Sequence, residues 1–230
     1  MPRPAEGWLP NLPRNRLLAE YSLWSADLLH LADDLARITP YADILHIDVA
    51  DGAFAPALLY FPDLVAKIRA ETAIPVHIHL MVQDGILLAQ IDQFAEAGAD
   101  LISLHAENAN AAEGLARIAK LGLASGMVLR VETPVETIAP FLPELDVLTL
   151  LGTAIGVKGQ GLDALACDRL IAAGDLIDLS GRRILLAADG GIRETTVPQL
   201  RAAGAETVVL GSLALGAPDL AERMAWLHGL

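Results

Sequence analysis

The feature that most constrains this chain is a repeated beat. A short apolar run is followed by a stretch whose apolar residues fall at helical spacing, and the pair recurs from Leu18 to the C-terminus. The runs predict strands at Leu18–Leu23, Ile44–Val49, Val76–Met81, Asp100–Leu104, Ala124–Leu129, Val147–Leu150, Arg183–Ala188 and Thr207–Leu210. Between them the spacing predicts helices at Ser25–Ile38, Pro62–Ala70, Ile86–Ala97 and Ala111–Leu121. Further helices are expected at Val135–Phe141, Asp163–Ala173, Arg193–Ala203 and Asp219–His228. Ser25 is a suitable N-cap for the first helix. Three connections place a glycine just past a helix and then start a strand: Gly98, Gly122 and Gly204. Strict alternation of strand and helix implies a parallel sheet.

Eight such units fit a closed (β/α)8 TIM barrel, an α/β fold, and 230 residues suffice for one such domain. An open doubly wound sheet would want a glycine-rich turn after the first strand, and Ser22-Leu23-Trp24-Ser25 is not one. Residues 18–230 are therefore expected to form the barrel and residues 1–17 an N-terminal extension. The extension carries four prolines, with Trp8 and Leu9 available to pack on the domain or on a neighbouring subunit.

Within the second strand, His46 and Asp48 are two apart and so point to one side. The flanking residues are apolar, so the pair is expected to be buried, which is costly without compensation. A metal ion is one compensation and a simple Asp–His hydrogen bond is another. The other strands widen the choice. Barrel active sites form at the C-terminal strand ends, and there the sequence supplies Ser22 and Ser25, then His77, His79 and Met81, then His105 and Glu107. It further supplies Asp189, Gly190 and Gly191 after the seventh strand, and Gly211 and Ser212 after the eighth. His46, Asp48, His79 and Asp189 suit one divalent metal ion: zinc, iron, manganese or cobalt. His77 reads as a residue supporting His79 or as a packed core histidine, and His105 as a packed one partnered by Glu107. Glycines after the last two strands let backbone N–H groups approach an anion, so Gly190, Gly191, Gly211 and Ser212 are expected to hold phosphate. Lys158 is a secondary candidate for the anion, with a solvated lysine as the favoured reading.

Composition removes other classes. A formal net charge of −13 argues against a nucleic-acid partner. The single cysteine, Cys167, excludes a disulfide framework or a cysteine zinc site within one chain. No secretory h-region and no apolar run of bilayer length is present, so no membrane partner and a cytoplasmic location are expected.

Several stretches together resemble the ribulose-phosphate 3-epimerase family across nearly all of Leu18 to Gly216. They are Ser22-Leu23-Trp24-Ser25-Ala26-Asp27, His46 to Pro56, His79-Leu80-Met81-Val82, Leu104 to Glu107, Asp189-Gly190-Gly191-Ile192 and Gly211-Ser212. The resemblance implies a metal-dependent epimerase of a ketose phosphate, commonly homo-oligomeric, working by proton removal and return through an enediolate. It assigns His46, Asp48, His79 and Asp189 as ligands, with Asp48 and Asp189 doubling as acid/base groups. Ser22 would touch the phosphorylated sugar, and Met81 remains from the methionine cluster around the intermediate. The departures lie in the substrate envelope. Ala50 and Leu150 stand for methionines, Trp24 for a smaller residue, and Arg130 for a neutral one, while the loop Gly152–Gln160 is rebuilt. A different sugar preference from ribulose 5-phosphate is therefore expected. The alternatives are a lyase or isomerase acting on another phosphorylated or acidic sugar, and a non-catalytic sugar-phosphate-binding homologue.

Overall fold

The structure is a computed structural model describing residues 1–230. Its strands are β1 (Leu18–Ser22), β2 (Ile44–Asp51), β3 (Leu58–Leu59), β4 (Val76–Met81), β5 (Leu101–His105), β6 (Ala124–Leu129), β7 (Val147–Leu151), β8 (Leu185–Asp189) and β9 (Thr207–Leu210). Eight of them pair in parallel in the order β1-β9-β8-β7-β6-β5-β4-β2, and β2 returns to β1, closing a TIM barrel. The ninth, β3, was not legible in the sequence. It lies antiparallel on the end of β2, opposite Ala50 and Asp51.

The helices are α1 (Leu31–Ile38), α2 (Pro62–Glu71), α3 (Asp84–Ala97), α4 (Ala111–Lys120), α5 (Ala166–Ser180), α6 (Val197–Ala202), α7 (Ser212–Leu215) and α8 (Leu220–His228). Gly98, Gly122 and Gly204 follow helices at φ 108°, 73° and 103°, as their spacing predicts. The departures have local causes. The helix expected from Ser25 begins only at Leu31, and Leu23–Ser25 is a single 3-10 turn. Asp27 accepts the Leu29 N–H at 3.0 Å and the His30 ring at 2.9 Å, which ties the backbone into a turn instead. The expected helix Val135–Phe141 is two 3-10 turns, Val135–Ile138 and Leu142–Glu144. Pro140 and Pro143 lack the N–H groups that a continuous helix needs. The expected Asp163–Ala173 helix runs from Ala166 to Ser180, and the expected Arg193–Ala203 helix starts at Val197. There the Thr196 hydroxyl takes the Arg193 N–H at 2.9 Å and gives its own proton to the Gly191 carbonyl at 2.7 Å.

Between strands and helices one continuous apolar cluster encircles the barrel. Inside it, alternation along each strand sorts side chains into layers. The layer at the N-terminal mouth is apolar: Leu18, Ile44, Leu101, Val147, Leu185 and Ala187. Trp8, Leu9 and Leu12 of the N-terminal segment pack against that layer. Arg3, from the same segment, reaches the Asp100 carboxylate at 3.2 Å. The next inward positions carry Glu20, His46, His77 and Ser103, all buried, and the layer above carries Ser22, Asp48, His79, His105 and Asp189.

Candidate active site

Strand register brings the polar residues together. On β2 and β4, Asp48 stands opposite His79 and His46 opposite His77. Asp189 arrives at the end of β8 from the other side of the ring. The result is that one ligand atom from each of His46, Asp48, His79 and Asp189 lies within 4.8 Å of the others. His46 Nε2 and His79 Nδ1 each sit 3.2 Å from Asp48 Oδ1, and His79 Nδ1 is 3.9 Å from Asp189 Oδ2. Ser22 donates its hydroxyl proton to Asp48 Oδ2 at 2.8 Å.

Partners on the far side of each ring set its tautomer. Glu20 is fully buried and takes the proton of His46 Nδ1 at 2.8 Å, which leaves His46 Nε2 as a lone pair facing the centre. The same Glu20 oxygen takes the proton of His77 Nδ1 at 2.5 Å, and His77 Nε2 is 2.6 Å from the Ser103 hydroxyl. His77 is thus bonded beneath the site through Glu20, without reaching it. A second relay begins at Glu107, which accepts from His105 Nδ1 at 2.9 Å. A neutral His105 then offers Nε2 as an acceptor to His79 Nε2–H at 2.9 Å. That leaves His79 Nδ1 as a lone pair aimed at Asp48 and Asp189. His105 therefore does more than fill the core: it orients His79. Two imidazole lone pairs and two carboxylates converging on one buried point form a donor set that fits a divalent cation, with a carboxylate behind each histidine.

Electrostatics divide the two central carboxylates. Burial disfavours a charged Asp48, but His46 and His79 outweigh it and hold its pKa well below the usual range. Asp189 is pushed up to about 6, by burial first and by the Asp48 and Glu20 charges as well, against the pull of His46 and His79. For His46, burial opposes protonation, yet with no cation bound Asp48 and Glu20 raise its pKa well above the imidazole value, so a metal ion at the centre would take the place of the Nε2 proton. Burial holds His105 down to about 4, and His105 and Thr133 hold Glu107 at about 2 despite its burial.

Above this centre opens a cavity of about 410 Å³. Ser22, Asp48, His79, Met81, Asp189, Gly190, Gly191, Gly211 and Ser212 all line it, whereas His46 lies beneath its floor. Gly190 and Gly191 have φ of 89° and 70°, and a Cβ at Gly191 would sit 2.8 Å from Leu162 Cα, so a side chain there would collide with backbone. The envelope residues fall into place differently from their sequence reading. Ile155, from the rebuilt loop, packs on the small cluster of Ala50, Ala55 and Met81, beside the position where the family carries a methionine. Leu150 belongs to the outer core, and it is Leu151 that lines the cavity, because alternate β7 residues face opposite ways. Lys158 is exposed but not simply solvated: its ammonium sits 2.5 Å from the Trp24 carbonyl and 4.8 Å from the centre of the Trp24 ring. Arg130 lies outside the cavity, 4.2 Å over the Phe54 ring and bonded to the Phe54 carbonyl.

Glu20 and Ser103 are the members of this network that the sequence reading missed. Glu20 had a usable signal. It precedes Ser22 by two residues in an otherwise apolar strand, so it shares the inward face.

Fold and site together define a (β/α)8 barrel with a His₂Asp₂ centre, able to hold a divalent cation, at its C-terminal mouth. The chain belongs to the ribulose-phosphate 3-epimerase family, whose model matches residues 18–215. It is a homologue of carbohydrate epimerases. The ribulose-phosphate 3-epimerase of Mycobacterium tuberculosis is 35% identical over 208 residues, covering 90% of each chain. That of Bacillus subtilis is 32% identical over 214 residues, 90% of this chain and 96% of the relative. Among solved structures, the tryptophan synthase A-subunit from Pyrococcus furiosus has a TM-score of 0.68 at 15% identity, covering 94% of this chain and 99% of the other. Orotidine 5'-phosphate decarboxylase from Pyrococcus horikoshii gives 0.65 at 14%, covering 92% and 97%. At those identities the structures speak for the fold alone. No helix is long and apolar enough to cross a membrane.

Proposed function

We propose that this protein epimerises a ketopentose phosphate at the carbon beside its ketone, with His46, Asp48, His79 and Asp189 holding one divalent metal ion. The observation that carries the reading is the convergence of two carboxylates, Asp48 from β2 and Asp189 from β8 on the other side of the ring, on one buried centre with His46 and His79. Epimerisation needs one group that takes a weakly acidic carbon-bound proton and another that returns a proton to the opposite face. Asp48, kept ionised, suits the base. Asp189, reaching the centre from the other side of the ring, suits the acid, and the reverse reaction exchanges their roles. The electron pair left by the departing proton moves onto the former ketone oxygen, giving an enediolate that collapses when the second proton arrives. A divalent cation here supplies Lewis-acid stabilisation of that oxygen charge. Ser22 orients Asp48, and the two histidines are locked by Glu20 and by His105 with Glu107.

For the phosphate, the backbone N–H groups of Gly190, Gly191, Gly211 and Ser212 are the proposed contacts, supported by their place on the cavity wall. The rebuilt loop with Ile155 and Lys158, together with Trp24, shapes the sugar end, so we expect another ketose phosphate to be preferred over ribulose 5-phosphate. Residues 18–230 act as one catalytic barrel domain with residues 1–17 as an extension to it. A cytoplasmic homo-oligomer with a small phosphorylated sugar as partner completes the reading.

The test is incubation of metal-replete protein with a ketose-phosphate panel in heavy water, read by deuterium entry at the carbon next to the ketone. Exchange is expected, and Asp189→Asn should lower it by about 10²–10⁴-fold. Absence of exchange with every panel member, or full exchange in Asp189→Asn, would overturn the assignment.

A further inference from the structure

A second cavity, of about 310 Å³, lies at the opposite mouth of the barrel, where residues 9–18 run past the N-terminal ends of β7, β8 and β9. Its lining is unusual for this chain. The protein carries a net charge of −13, yet five arginines converge here: Arg14, Arg16, Arg182, Arg183 and Arg201. Only two carboxylates, Asp146 and Glu206, share the lining. Glu206 is consumed by Arg183, at 2.7 and 2.8 Å. Arg16 is paired with Asp43, outside the lining, at 2.6 and 2.7 Å. Arg182 donates one N–H to the Leu145 carbonyl at 3.2 Å and approaches Asp146 Oδ1 only to 4.0 Å, while Asp146 Oδ2 accepts the Ser125 N–H at 3.0 Å. Arg201 donates one N–H to the Ala205 carbonyl and meets no carboxylate. Arg14 is exposed and pairs with none.

Each guanidinium has five N–H donors in a fork that matches phosphate oxygens. Three of these arginines therefore keep donors and charge to spare inside a concavity. The cavity has the size of a small-ligand site. Its remaining wall is apolar: Leu9, Leu12, Leu18 and Leu185, with Pro10 and Pro13. Arginines around an apolar wall fit a ligand with several phosphate charges and a carbon body. A chain with a net charge of −13 would repel a long nucleic-acid strand, so the ligand is compact.

We infer that this pole is a binding site for a small organic polyphosphate, separate from the catalytic cavity and built partly by the N-terminal segment. Arg14, Arg182 and Arg201 are its anion contacts. Nothing in the inference depends on the reaction proposed above, because the two cavities open at opposite ends of the strands.

The experiment is isothermal titration of the full-length protein at fixed ionic strength with ADP and, separately, with inorganic pyrophosphate. Parent, Arg14→Ser and Arg14→Ser/Arg201→Ser proteins are compared, with Arg117→Ser as a control that removes a surface arginine bonded to Asp92. The parent should bind ADP saturably with a dissociation constant on the order of 1 mM or tighter. The double variant should weaken binding by about tenfold or more, and the control should leave it unchanged. Tighter binding of ADP than of pyrophosphate would identify the apolar wall as part of the site, and equal binding would reduce the site to a phosphate clasp. Arg14 is exposed and unpaired, so the single variant keeps the test valid if the double variant fails to fold. No saturable binding in the parent, or binding that survives loss of both arginines and so resides at the other mouth, overturns the proposal.

Discussion

The two mouths of this barrel are made by the same eight strands and turn opposite kinds of side chain inward. At the N-terminal mouth the inward residues are Leu18, Ile44, Leu101, Val147, Leu185 and Ala187, sealed by Trp8, Leu9 and Leu12. At the C-terminal mouth the inward residues are Asp48, His79, His105 and Asp189, below an open cavity. The difference shows how a fold can carry costly groups. Buried charge is tolerated at one end because each charged group has a partner behind it, and because apolar packing at the other end and around the helices stabilises the ring. Glu20, in the layer between the two, makes the transition: the layer below it is apolar and its partners beside it are His46 and His77.

This division can be broken from either side. The largest effect is expected from the apolar end. Leu101→Ala leaves a hole in the sealed layer and should cost about 2–5 kcal/mol of unfolding free energy. Deuterium exchange per folded molecule should remain at the parent level. Denaturant titration beside the exchange assay checks both, and a large loss of exchange in folded Leu101→Ala would mean that the two ends are not separable.

The next effect concerns pH. In the folded state burial holds His105 down to about 4, whereas the unfolded imidazole titrates near its ordinary value of about 6.5. Above about 6.5 both states are neutral. As pH falls below that, only the unfolded chain gains the proton, so His105 withdraws stability progressively, by about 3 kcal/mol once pH reaches about 4. Asp189, raised to about 6, works in the opposite direction over much of this window, since the folded state takes its proton first. The informative quantity is therefore the difference between parent and His105→Asn. The variant should lose less stability than the parent between pH 7.5 and pH 5, read by thermal unfolding of metal-free protein. Equal losses would show that His105 is not held neutral.

The smallest expected effect probes the boundary. Glu20→Gln keeps the size of the side chain but weakens the hold on His46 Nδ1–H. Metal affinity should fall by about 10–100-fold, measured by competition with a chelator. An unchanged affinity would make Glu20 a structural filler and dissolve the link between the layers.

The sequence revealed much of this architecture because its signals are local. Alternation fixes which residues of Val76–Met81 face inward, and glycines such as Gly98 mark helix ends by backbone geometry alone. The four central residues were readable for the same reason, being polar groups at the ends of apolar strands. What escaped depends on contacts between distant segments. That Glu20 bridges His46 and His77, that His105 touches His79, and that Lys158 settles on Trp24 are consequences of ring closure, which no single strand records. Local chemistry also misled in places: the apolar stripe from Leu28 to Leu35 suggested a longer first helix, and Asp27 diverted its start.

Ring closure also dates the site. The Leu18 carbonyl and the Thr207 hydroxyl, 189 residues apart, meet only when β1 joins β9. His46, Asp48, His79 and the supporting Glu20 lie on β1, β2 and β4, which come first in the chain and pair directly in the order β1-β2-β4. Asp189 comes from β8, well after those strands in the chain. A nascent chain emerging at about 5–20 residues per second holds three of the four central groups for roughly ten seconds before the fourth exists. During that interval Asp189 is missing, and the incomplete centre has one carboxylate fewer than the finished one. The last carboxylate reaches the centre on β8, whose other neighbour, β9, is the strand that closes onto β1.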